Sequence, residues 1–355
     1  MSPALESALR ALLQQGLDQG RFSAAAVGVH DANDEEFTVL AGRHASHSDA
    51  ALVSVRSQFD LASLTKPLAT ATLLQLAEEE GRVDLDAPVG PWIPELSGSS
   101  YADVRISELA RHESGLPSWS PLASLEGGLK AWLPQIARLA PATPRGQTLY
   151  SDLGYLILGE LLERLHGVNL DALFSDRVVG GDLQSTIGFH ADAASSIATE
   201  QGNDFEMKLA GNSDFPRRVT IAAGEVHDTH AWALGGVAGH AGLFGTLSAV
   251  IELGRRLLPG GPLAAERRSL ERRFGHGGQA PRTFGWQRAR DSVAVREILS
   301  ERAIGHLGFT GTSLWLEPEV GQVFVLLTNR IHPRVSEVDF QPFRREVHRL
   351  LVPGG

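Results

Sequence analysis

The strand-forming segments of this 355-residue chain lie near its two ends, with a long helical stretch between them. Near the N-terminus, the leucine spacing predicts an amphipathic helix over residues 4–19. Two strand-like runs follow at residues 24–30 and 36–40, and the turn formers at residues 31–34 predict a β-hairpin. Strand character then returns near the C-terminus in three runs, at residues 283–290, 308–316 and 322–328.

This layout constrains the fold because strands from both ends must pair to complete one sheet. We predict an α+β fold, an α/β sandwich in which an antiparallel sheet built from both termini is flanked by helices, one of them over residues 337–351. Residues 1–82 and 231–355 would form this lobe. Residues 83–230, whose helical pieces are broken by Pro- and Gly-rich loops, would form an inserted and mostly helical lobe, with the active site between the two.

The charge balance excludes two classes of partner. The chain has 32 Lys and Arg residues against 42 Asp and Glu residues, a formal net charge of −10. This charge repels nucleic acid phosphates and anionic membrane surfaces, so we expect neither as a partner. No apolar run resembles a signal peptide or reaches transmembrane length, so we expect a cytoplasmic protein unless a leader was trimmed. The sequence gives no indication of the oligomeric state.

The run SLTK at residues 63–66 places a hydroxyl and an amine three residues apart, where a helix is predicted to begin. Side chains at this spacing share a helix face, so Ser63 and Lys66 are candidates for a nucleophile and its base. The chain has no cysteine and therefore no thiol nucleophile. To accept a proton, Lys66 needs a pKa lowered from about 10.4 to near 7, a change of roughly 4–5 kcal/mol. The alternative is that Ser63 caps the helix and Lys66 is a solvated surface group.

Further short runs accompany this one in a definite order along the chain. They are FDLASLTKP at 59–67, LARHESGL at 109–116, YSDLGY at 150–155, GVAGHAGLF at 236–244 and HLG at 306–308. In order and spacing they resemble the motifs of the penicillin-recognising serine hydrolases, the class C β-lactamase-like superfamily, over nearly the whole chain. The glycine-rich fourth run is similar to that of the subgroup containing esterases, D-amino-acid peptidases and muropeptide amidases.

The resemblance implies roles for individual residues. Ser63 would be the nucleophile, Lys66 its proton acceptor, and Tyr150 the relay that passes the proton to the leaving group. The backbone N–H groups of Ser63 and Phe309 would form the oxyanion hole. Tyr101 also begins a Tyr-x-Asp run, but no long helix follows it, so we expect Tyr101 to be structural.

The family's third motif reads Lys-Thr-Gly or His-x-Gly. Three His-x-Gly runs, beginning at His240, His276 and His306, are candidates for it. Only His306 leads directly into a β-rich run, so we expect His306 and Gly308 to bind the substrate. The alternative for His306 is a hydrogen-bonded residue at a strand end. His240 and His112 are candidates for supporting positions next to the pocket, and a purely structural role is the alternative for His240.

Asp152 departs from the family pattern, which usually has Asn at this position. We place Asp152 among the substrate-binding residues. A carboxylate beside Lys66 would raise the pKa of the amine and oppose its role as a base. Either Asp152 points elsewhere, or Tyr150 is the base in this protein.

Neither a cofactor nor a metal is expected. The run EVHDTH at residues 225–230 has a spacing that metal sites also use. The resemblance, however, includes a similar Val-His-Asp stretch without a metal. We therefore expect the chemistry to depend on side chains and backbone N–H groups alone.

We expect a serine hydrolase that forms an acyl-enzyme on Ser63 and cleaves a small-molecule ester, amide or peptide, with D-amino-acid or cell-wall peptide derivatives as candidates. Two alternatives stay open. One is a catalytically idle scaffold or ligand sensor with the same fold, and the other is a true β-lactamase or D-Ala-D-Ala carboxypeptidase. His306, mostly neutral at pH 7.5, stands where many relatives have lysine, which predicts weak attraction for a substrate carboxylate and poor β-lactam hydrolysis.

Overall fold

The computed structural model describes residues 2–31, 35–211, 214–264, 267–274 and 281–352. Its strands are β1 (Ala24–His30), β2 (Glu36–Gly42), β3 (Phe59–Asp60), β4 (Ile187–Gly188), β5 (Phe244–Gly245), β6 (Gln287–Arg288), β7 (Ile304–Leu307), β8 (Ser313–Glu317) and β9 (Gln322–Thr328). Six of them form one antiparallel sheet in the order β2-β1-β9-β8-β7-β6.

This sheet is built from both ends of the chain, as predicted. The N-terminal hairpin joins the C-terminal strands through β1 and β9, where Val27 lies opposite Leu326. Of the turn predicted between β1 and β2, residues 32–34 lie outside the described residues. Because β1 and β9 are central strands, both of their faces are buried, and their sequences are accordingly apolar almost throughout.

Helices cover both faces of the sheet. The helices of the described residues are α1 (Pro3–Asp18), α2 (Thr72–Glu79), α3 (Ile106–Ala110), α4 (Leu129–Arg138), α5 (Asp152–His166), α6 (Leu170–Phe174), α7 (Asp204–Ala210), α8 (Thr229–Ala233), α9 (Leu247–Leu257), α10 (Arg267–Phe274) and α11 (Gln341–Leu351). Along β9, Phe324 and Leu326 belong to the apolar cluster that contains α1 and α11 residues, while Val323 and Val325 face α9. The sheet therefore lies between two helical layers, which confirms the predicted α/β sandwich. No helix of the described residues has both the length and the apolar character needed to span a bilayer.

Two predicted strands are shorter than expected. Of residues 283–290 only β6 is a strand, because residues 289–291 form a 3-10 turn. The strand predicted over 308–316 begins at Ser313, because residues 308–312 turn the chain from β7 into β8, with the N–H of Gly308 donating to Thr312 O at 2.8 Å. His306 consequently lies within β7 and not ahead of the strand.

The helix predicted after Ser63 is present but irregular at its start. A 3-10 turn (Ala62–Leu64) leads into a π-helical segment (Lys66–Ala71), and regular α-helix begins only at α2. Pro67 lies in the first turn of the π-helical segment, where its missing N–H costs no helical hydrogen bond. Gly81, with φ +69°, follows the end of α2. The irregular start buries Lys66 beside Ser63 instead of leaving it on the surface.

The middle of the chain is mostly helical, as predicted, and contains α3 to α8. The longest of these helices, α5, has 15 residues and stops at Gly167, whose φ is +69°. One small strand of this stretch, β4, joins β3 and β5 in a second sheet of the order β3-β5-β4. The division into two lobes stays a prediction, since this small sheet links residues from both.

Candidate active site

Ser63 lies in a turn with an unusual backbone conformation. The preceding residue, Ala62, has φ +47°, in the left-handed region that costs a residue with a Cβ roughly 1–2 kcal/mol. The buried Asp60 holds the turn, since its carboxylate accepts the N–H of Ala62 at 2.8 Å and the N–H of His227 at 2.9 Å. Burial raises the pKa of Asp60, and the two backbone donors oppose that rise. Asp60 thereby connects the Ser63 turn to the segment that contains His227.

Lys66 is fully buried behind Ser63. Its Nζ lies 3.0 Å from the Oγ of Ser63, donates to the carbonyl of His240 at 2.8 Å, and lies 2.7 Å from the Oδ1 of Asp152. Burial acts to lower the pKa of Lys66, but the carboxylate of Asp152 and the hydroxyl of Tyr150 outweigh it, so the pKa is raised. Lys66 is therefore an ammonium group at neutral pH, paired with a carboxylate that points directly at it.

Tyr150 completes the group around Ser63. Its hydroxyl donates to the Oγ of Ser63 at 2.8 Å. Burial raises the pKa of Tyr150, and the nearby ammonium of Lys66 opposes the rise. Tyr150 precedes α5, and its ring lies 4.5 Å from the ring of His112 and 6.0 Å from that of His306, measured between centroids. The predicted catalytic residues are thus brought together around one hydroxyl.

The other two tyrosines have structural contacts. Tyr101 is buried, and its hydroxyl donates to the carbonyl of Leu139 at 3.0 Å. Tyr155 is also buried and donates to the carbonyl of Ala110 at 2.9 Å. The structural role predicted for Tyr101 agrees with this placement.

The turn between β7 and β8 is fastened to the Ser63 turn. Thr310 donates from Oγ1 to the carbonyl of Asp60 at 2.8 Å, and Thr312 donates to that of Leu61 at 3.3 Å. Gly308 packs so tightly here that a Cβ would lie 1.9 Å from the Oγ1 of Thr312 and 2.8 Å from the carbonyl oxygen of Leu61. The glycine of the HLG run is therefore required for the close approach of the two segments.

This approach brings two backbone donors to the cavity. Ser63 and Phe309 both line it, and neither N–H is among the backbone donors that already have a protein acceptor in the described part of the chain. The ring of Phe309 is held between Phe205, at 5.1 Å, and His227, at 5.6 Å, measured between centroids. The two N–H groups fit the oxyanion hole that the sequence predicted.

His306 lies in the cavity wall as a neutral side chain. Its Nδ1 donates to the carbonyl of Leu307 at 2.9 Å, so its Nε2 is free to accept, and the Nη1 of Arg282 lies 3.4 Å from that atom. Burial, followed by the charges of Arg282 and Lys66, holds the pKa of His306 well below its usual range. His306 is next to a cation but does not itself provide one.

The two histidines predicted beside the pocket are both buried there. The carbonyl of His240 accepts from Lys66, and its Nε2 lies 2.9 Å from the Oδ1 of Asp228. His112 accepts the N–H of Ser151 at 3.0 Å, which orients the segment that contains Tyr150. Both histidines therefore support groups around Ser63. The competing His276 lies outside the described residues.

Part of the EVHDTH run also reaches the cavity. Asp228, His230 and His240 each place one donor atom within 4.8 Å of the others, a spacing that a metal ion could bridge. His227 also lines the cavity, and its Nε2 lies 2.8 Å from the Oε2 of Glu200. The absence of a metal stays a prediction.

A cavity of about 430 Å³ opens over Ser63. Its lining includes the apolar side chains of Trp119, Phe205, Leu209 and Phe309. The lining also includes Arg282, whose Cζ lies 4.9 Å from the centroid of the Tyr150 ring. Arg282 was not predicted individually, because the sequence before it contains no recognisable motif.

Comparison with known proteins agrees with this geometry. A family model described as Beta-lactamase matches residues 9–348. The chain belongs to the β-lactamase family. The family resemblance drawn from the five runs is confirmed, and the protein is a serine hydrolase of the β-lactamase family with the fold predicted from its sequence.

Relatives of this β-lactamase family protein are named for different activities. A Bacillus subtilis (strain 168) protein named N-acetylmuramyl-L-alanine amidase is 29% identical over 323 residues, which cover 82% of this chain and 72% of the relative. An Escherichia coli (strain K12) protein named putative D-alanyl-D-alanine carboxypeptidase is 28% identical, with coverage of 83% and 74%.

Solved structures share the whole fold. A β-lactamase from Sulfitobacter sp. EE-36 has a TM-score of 0.74 at 22% identity, covering 99% of this chain and 98% of its own. EstCE1, described as a hydrolase with promiscuous acyltransferase activity, has a TM-score of 0.74 at 18% identity, covering 97% and 98%. At these identities the likeness shows the fold of the family, and the chemistry of this member has to be argued from its own residues.

Proposed function

We propose that this protein hydrolyses small esters or amides, peptides included, through an acyl-enzyme on Ser63. The observation that supports this most strongly is that the Oγ of Ser63 lies 2.8 Å from the Tyr150 hydroxyl and 3.0 Å from the Lys66 ammonium, facing an open cavity. A serine with a purely structural role does not require contacts with both a tyrosine hydroxyl and a lysine ammonium. The names of two relatives, an amidase and a putative carboxypeptidase, refer to cleavage of bonds of the proposed class.

The proton of Ser63 passes to Tyr150 in this mechanism. Asp152 keeps Lys66 protonated, which leaves the amine without a lone pair for proton transfer. Burial raises the pKa of Tyr150, so the phenolate is a minor species that forms when the hydroxyl loses its proton to the solvent of the cavity, and the adjacent ammonium lowers the cost of forming it. The phenolate then takes the proton of Ser63 as the Oγ attacks the carbonyl carbon.

Tyr150 next gives this proton to the leaving group as the scissile bond breaks. For deacylation, a water molecule attacks the acyl carbon and loses a proton to the phenolate. The proton then returns to the Oγ of Ser63 as the acid product leaves. The Ser63 and Phe309 N–H groups stabilise the oxyanion in both halves, and losing one such donor typically costs about 10²–10³ in kcat.

Covalent labelling tests the proposed function directly. A fluorophosphonate probe is expected to label the wild-type protein on the peptide that contains Ser63, identified by mass spectrometry. Ser63→Ala is expected to lose both labelling and ester turnover while its melting temperature stays close to that of the wild type. An unlabelled wild-type protein would favour the idle scaffold, and turnover by Ser63→Ala would contradict the mechanism.

A further inference from the structure

Three donor side chains converge where α8 meets the glycine-rich run at 236–244. Asp228 caps the N-terminus of α8, His230 lies in the first turn of that helix, and His240 belongs to the glycine-rich run. One donor atom of each side chain lies within 4.8 Å of the other two. Asp228 and His240 line the cavity. A small ion can therefore reach this cluster from the cavity.

His230 directs an unpaired ring nitrogen at the cluster. The residue is only 1% exposed, and its Nε2 has no hydrogen-bond partner among the described residues. The ring is hydrogen-bonded to the backbone of Ser120, and this bond must be made by the Nδ1 because the Nε2 is unpaired. A backbone partner on one ring nitrogen is how proteins fix the tautomer of a metal-binding histidine, so that the other nitrogen presents its lone pair. Leaving such a buried nitrogen unpaired is unfavourable, so its orientation indicates a ligand.

Asp228 and His240 already have the separation of two ligands on one ion. The Nε2 of His240 lies 2.9 Å from the Oδ1 of Asp228. Bonds of about 2.0–2.2 Å to a tetrahedral Zn²⁺ place neighbouring donor atoms about 3 Å apart. The backbone holds both side chains in position, since the Oδ1 of Asp228 accepts the N–H of Ala231 at 2.8 Å and the carbonyl of His240 accepts from Lys66 at 2.8 Å.

Further carboxylates surround the cluster. Asp60 and Glu206 line the same cavity, and both interact with the charge of Asp228, which repels them. Glu206 accepts the N–H of Thr229 at 3.1 Å and also its hydroxyl, which are neutral donors. A divalent cation bound at Asp228 would offset the repulsion between these carboxylates.

We propose that Asp228, His230 and His240 bind one divalent transition-metal ion such as Zn²⁺. Two imidazoles and a carboxylate are a donor set that Zn²⁺ uses, and three protein ligands leave one position open to the cavity. The ion would join α8 to the glycine-rich run, whose His240 carbonyl holds Lys66. The proposal departs from the expectation that the EVHDTH run binds no metal. It adds no step to the acyl-enzyme mechanism.

Metal titration of the full-length protein, prepared without a histidine tag and treated with EDTA, tests the proposal. Calorimetry with Zn²⁺ is expected to show one equivalent bound, with a Kd of about 1 μM or tighter. The melting temperature is expected to rise by about 3 °C or more at a Zn²⁺ concentration of about 100 times Kd. Failure to bind a full equivalent, or binding that leaves the melting temperature unchanged, would overturn the proposal.

His230→Gln separates this site from adventitious binding. The variant removes one donor but keeps a polar side chain, so its affinity for Zn²⁺ is expected to fall by about 100-fold or more. His190→Gln is the matched control, because His190 is exposed and pairs with Asp171 outside the cluster, and it is expected to bind Zn²⁺ like the wild type. Unchanged affinity in His230→Gln, or an equal loss in His190→Gln, contradicts the proposed ligands.

Anomalous diffraction from a Zn²⁺-bound crystal of the wild type keeps the test valid if His230→Gln does not fold. The expected result is a peak between Asp228, His230 and His240, and a peak only elsewhere would overturn the proposal. Fluorophosphonate labelling of Ser63 in the metal-free protein is measured separately. If Ser63 is labelled but no Zn²⁺ binds, this proposal fails while the proposed function stands. If Zn²⁺ binds at the three side chains but Ser63 is not labelled, the proposed function fails alone.

Discussion

The Nζ of Lys66 lies 2.7 Å from the Oδ1 of Asp152. The same Nζ lies 3.0 Å from the Oγ of Ser63. The carboxylate raises the pKa of Lys66 despite complete burial, which otherwise lowers it. Lys66 is therefore better suited to stabilise a Tyr150 phenolate with its positive charge than to act as a base, which would require a neutral amine.

Asp152→Asn should distinguish the two candidate bases. Removing the carboxylate lowers the pKa of Lys66, because the nearby negative charge that favours the ammonium form is lost. If the ammonium supports Tyr150, activity is lost when Lys66 loses its proton, so the alkaline limb of kcat/KM moves to lower pH. The measurement is a pH profile on a neutral ester, with Asp152→Glu as the variant that keeps the charge. An acid limb that moves to lower pH, with higher turnover at pH 7, would instead identify neutral Lys66 as the base.

Tyr150→Phe and Lys66→Met are each expected to lower kcat by at least about 100-fold, the usual scale for losing a positioned proton transfer. Tyr101→Phe is the matched control. It removes a hydroxyl bonded only to the carbonyl of Leu139, so we expect near-normal turnover and a loss of about 1 kcal/mol in unfolding free energy. Kinetics and urea unfolding of the three variants check this. A large kinetic defect confined to Tyr101→Phe would mean that the wrong tyrosine was assigned.

The central sheet could be predicted from sequence because its strands are apolar over several residues. The β9 run, Gln322–Thr328, is long enough to be recognised without its neighbours. β7 was missed because it is only four residues long and includes Gly305. A strand this short is specified by its pairing with β8, which periodicity along the chain does not reveal.

The residues of the candidate site could be predicted where they belong to a local sequence motif. They could not be predicted where residues from distant segments meet only in the folded chain. Ser63, Lys66 and Tyr150 lie in recognisable runs, and the structure brings them together. The sequence indicated that Asp152 was unusual but could not show that its carboxylate points at Lys66. Arg282 lies outside every run, and its place beside Tyr150 and His306 is a property of the packed structure alone.

Gly308→Ala is expected to damage catalysis more than folding. The added Cβ would lie 1.9 Å from the Oγ1 of Thr312, so the turn that presents the Phe309 N–H must move away from Ser63. We expect kcat to fall by about 10²–10³, as for the loss of one oxyanion donor. Gly188→Ala is the control, because a Cβ there meets nothing within 4 Å. Steady-state kinetics of both variants decide the point, and normal kcat in Gly308→Ala would exclude Phe309 from the oxyanion hole.

The stability of the fold is expected to fall in mild acid because of His348. This side chain is fully buried beneath β8, where its Nε2 lies 2.9 Å from the Oγ of Ser313. Burial, with the nearby charge of Arg344, lowers the pKa of His348 to about 3. Its pKa in the unfolded chain is about 6.5, so the unfolded state binds a proton first as the pH drops. The stabilisation is therefore present above pH 6.5 and is lost progressively below it.

Urea unfolding of the wild type and of His348→Gln at pH 7.5 and pH 5.0 measures this effect. For a group that titrates at 6.5 only in the unfolded state, the change from pH 7.5 to pH 5.0 lowers the free energy of unfolding by about 2 kcal/mol. We expect His348→Gln not to show this part of the decrease. The absolute stability of the variant does not matter, because each protein is compared with itself at the two pH values. His47→Gln, which replaces an exposed histidine, serves as the control and should keep the wild-type pH dependence. An unchanged pH dependence in His348→Gln would mean that His348 already binds its proton in the folded protein, and that its buried environment tolerates the charge.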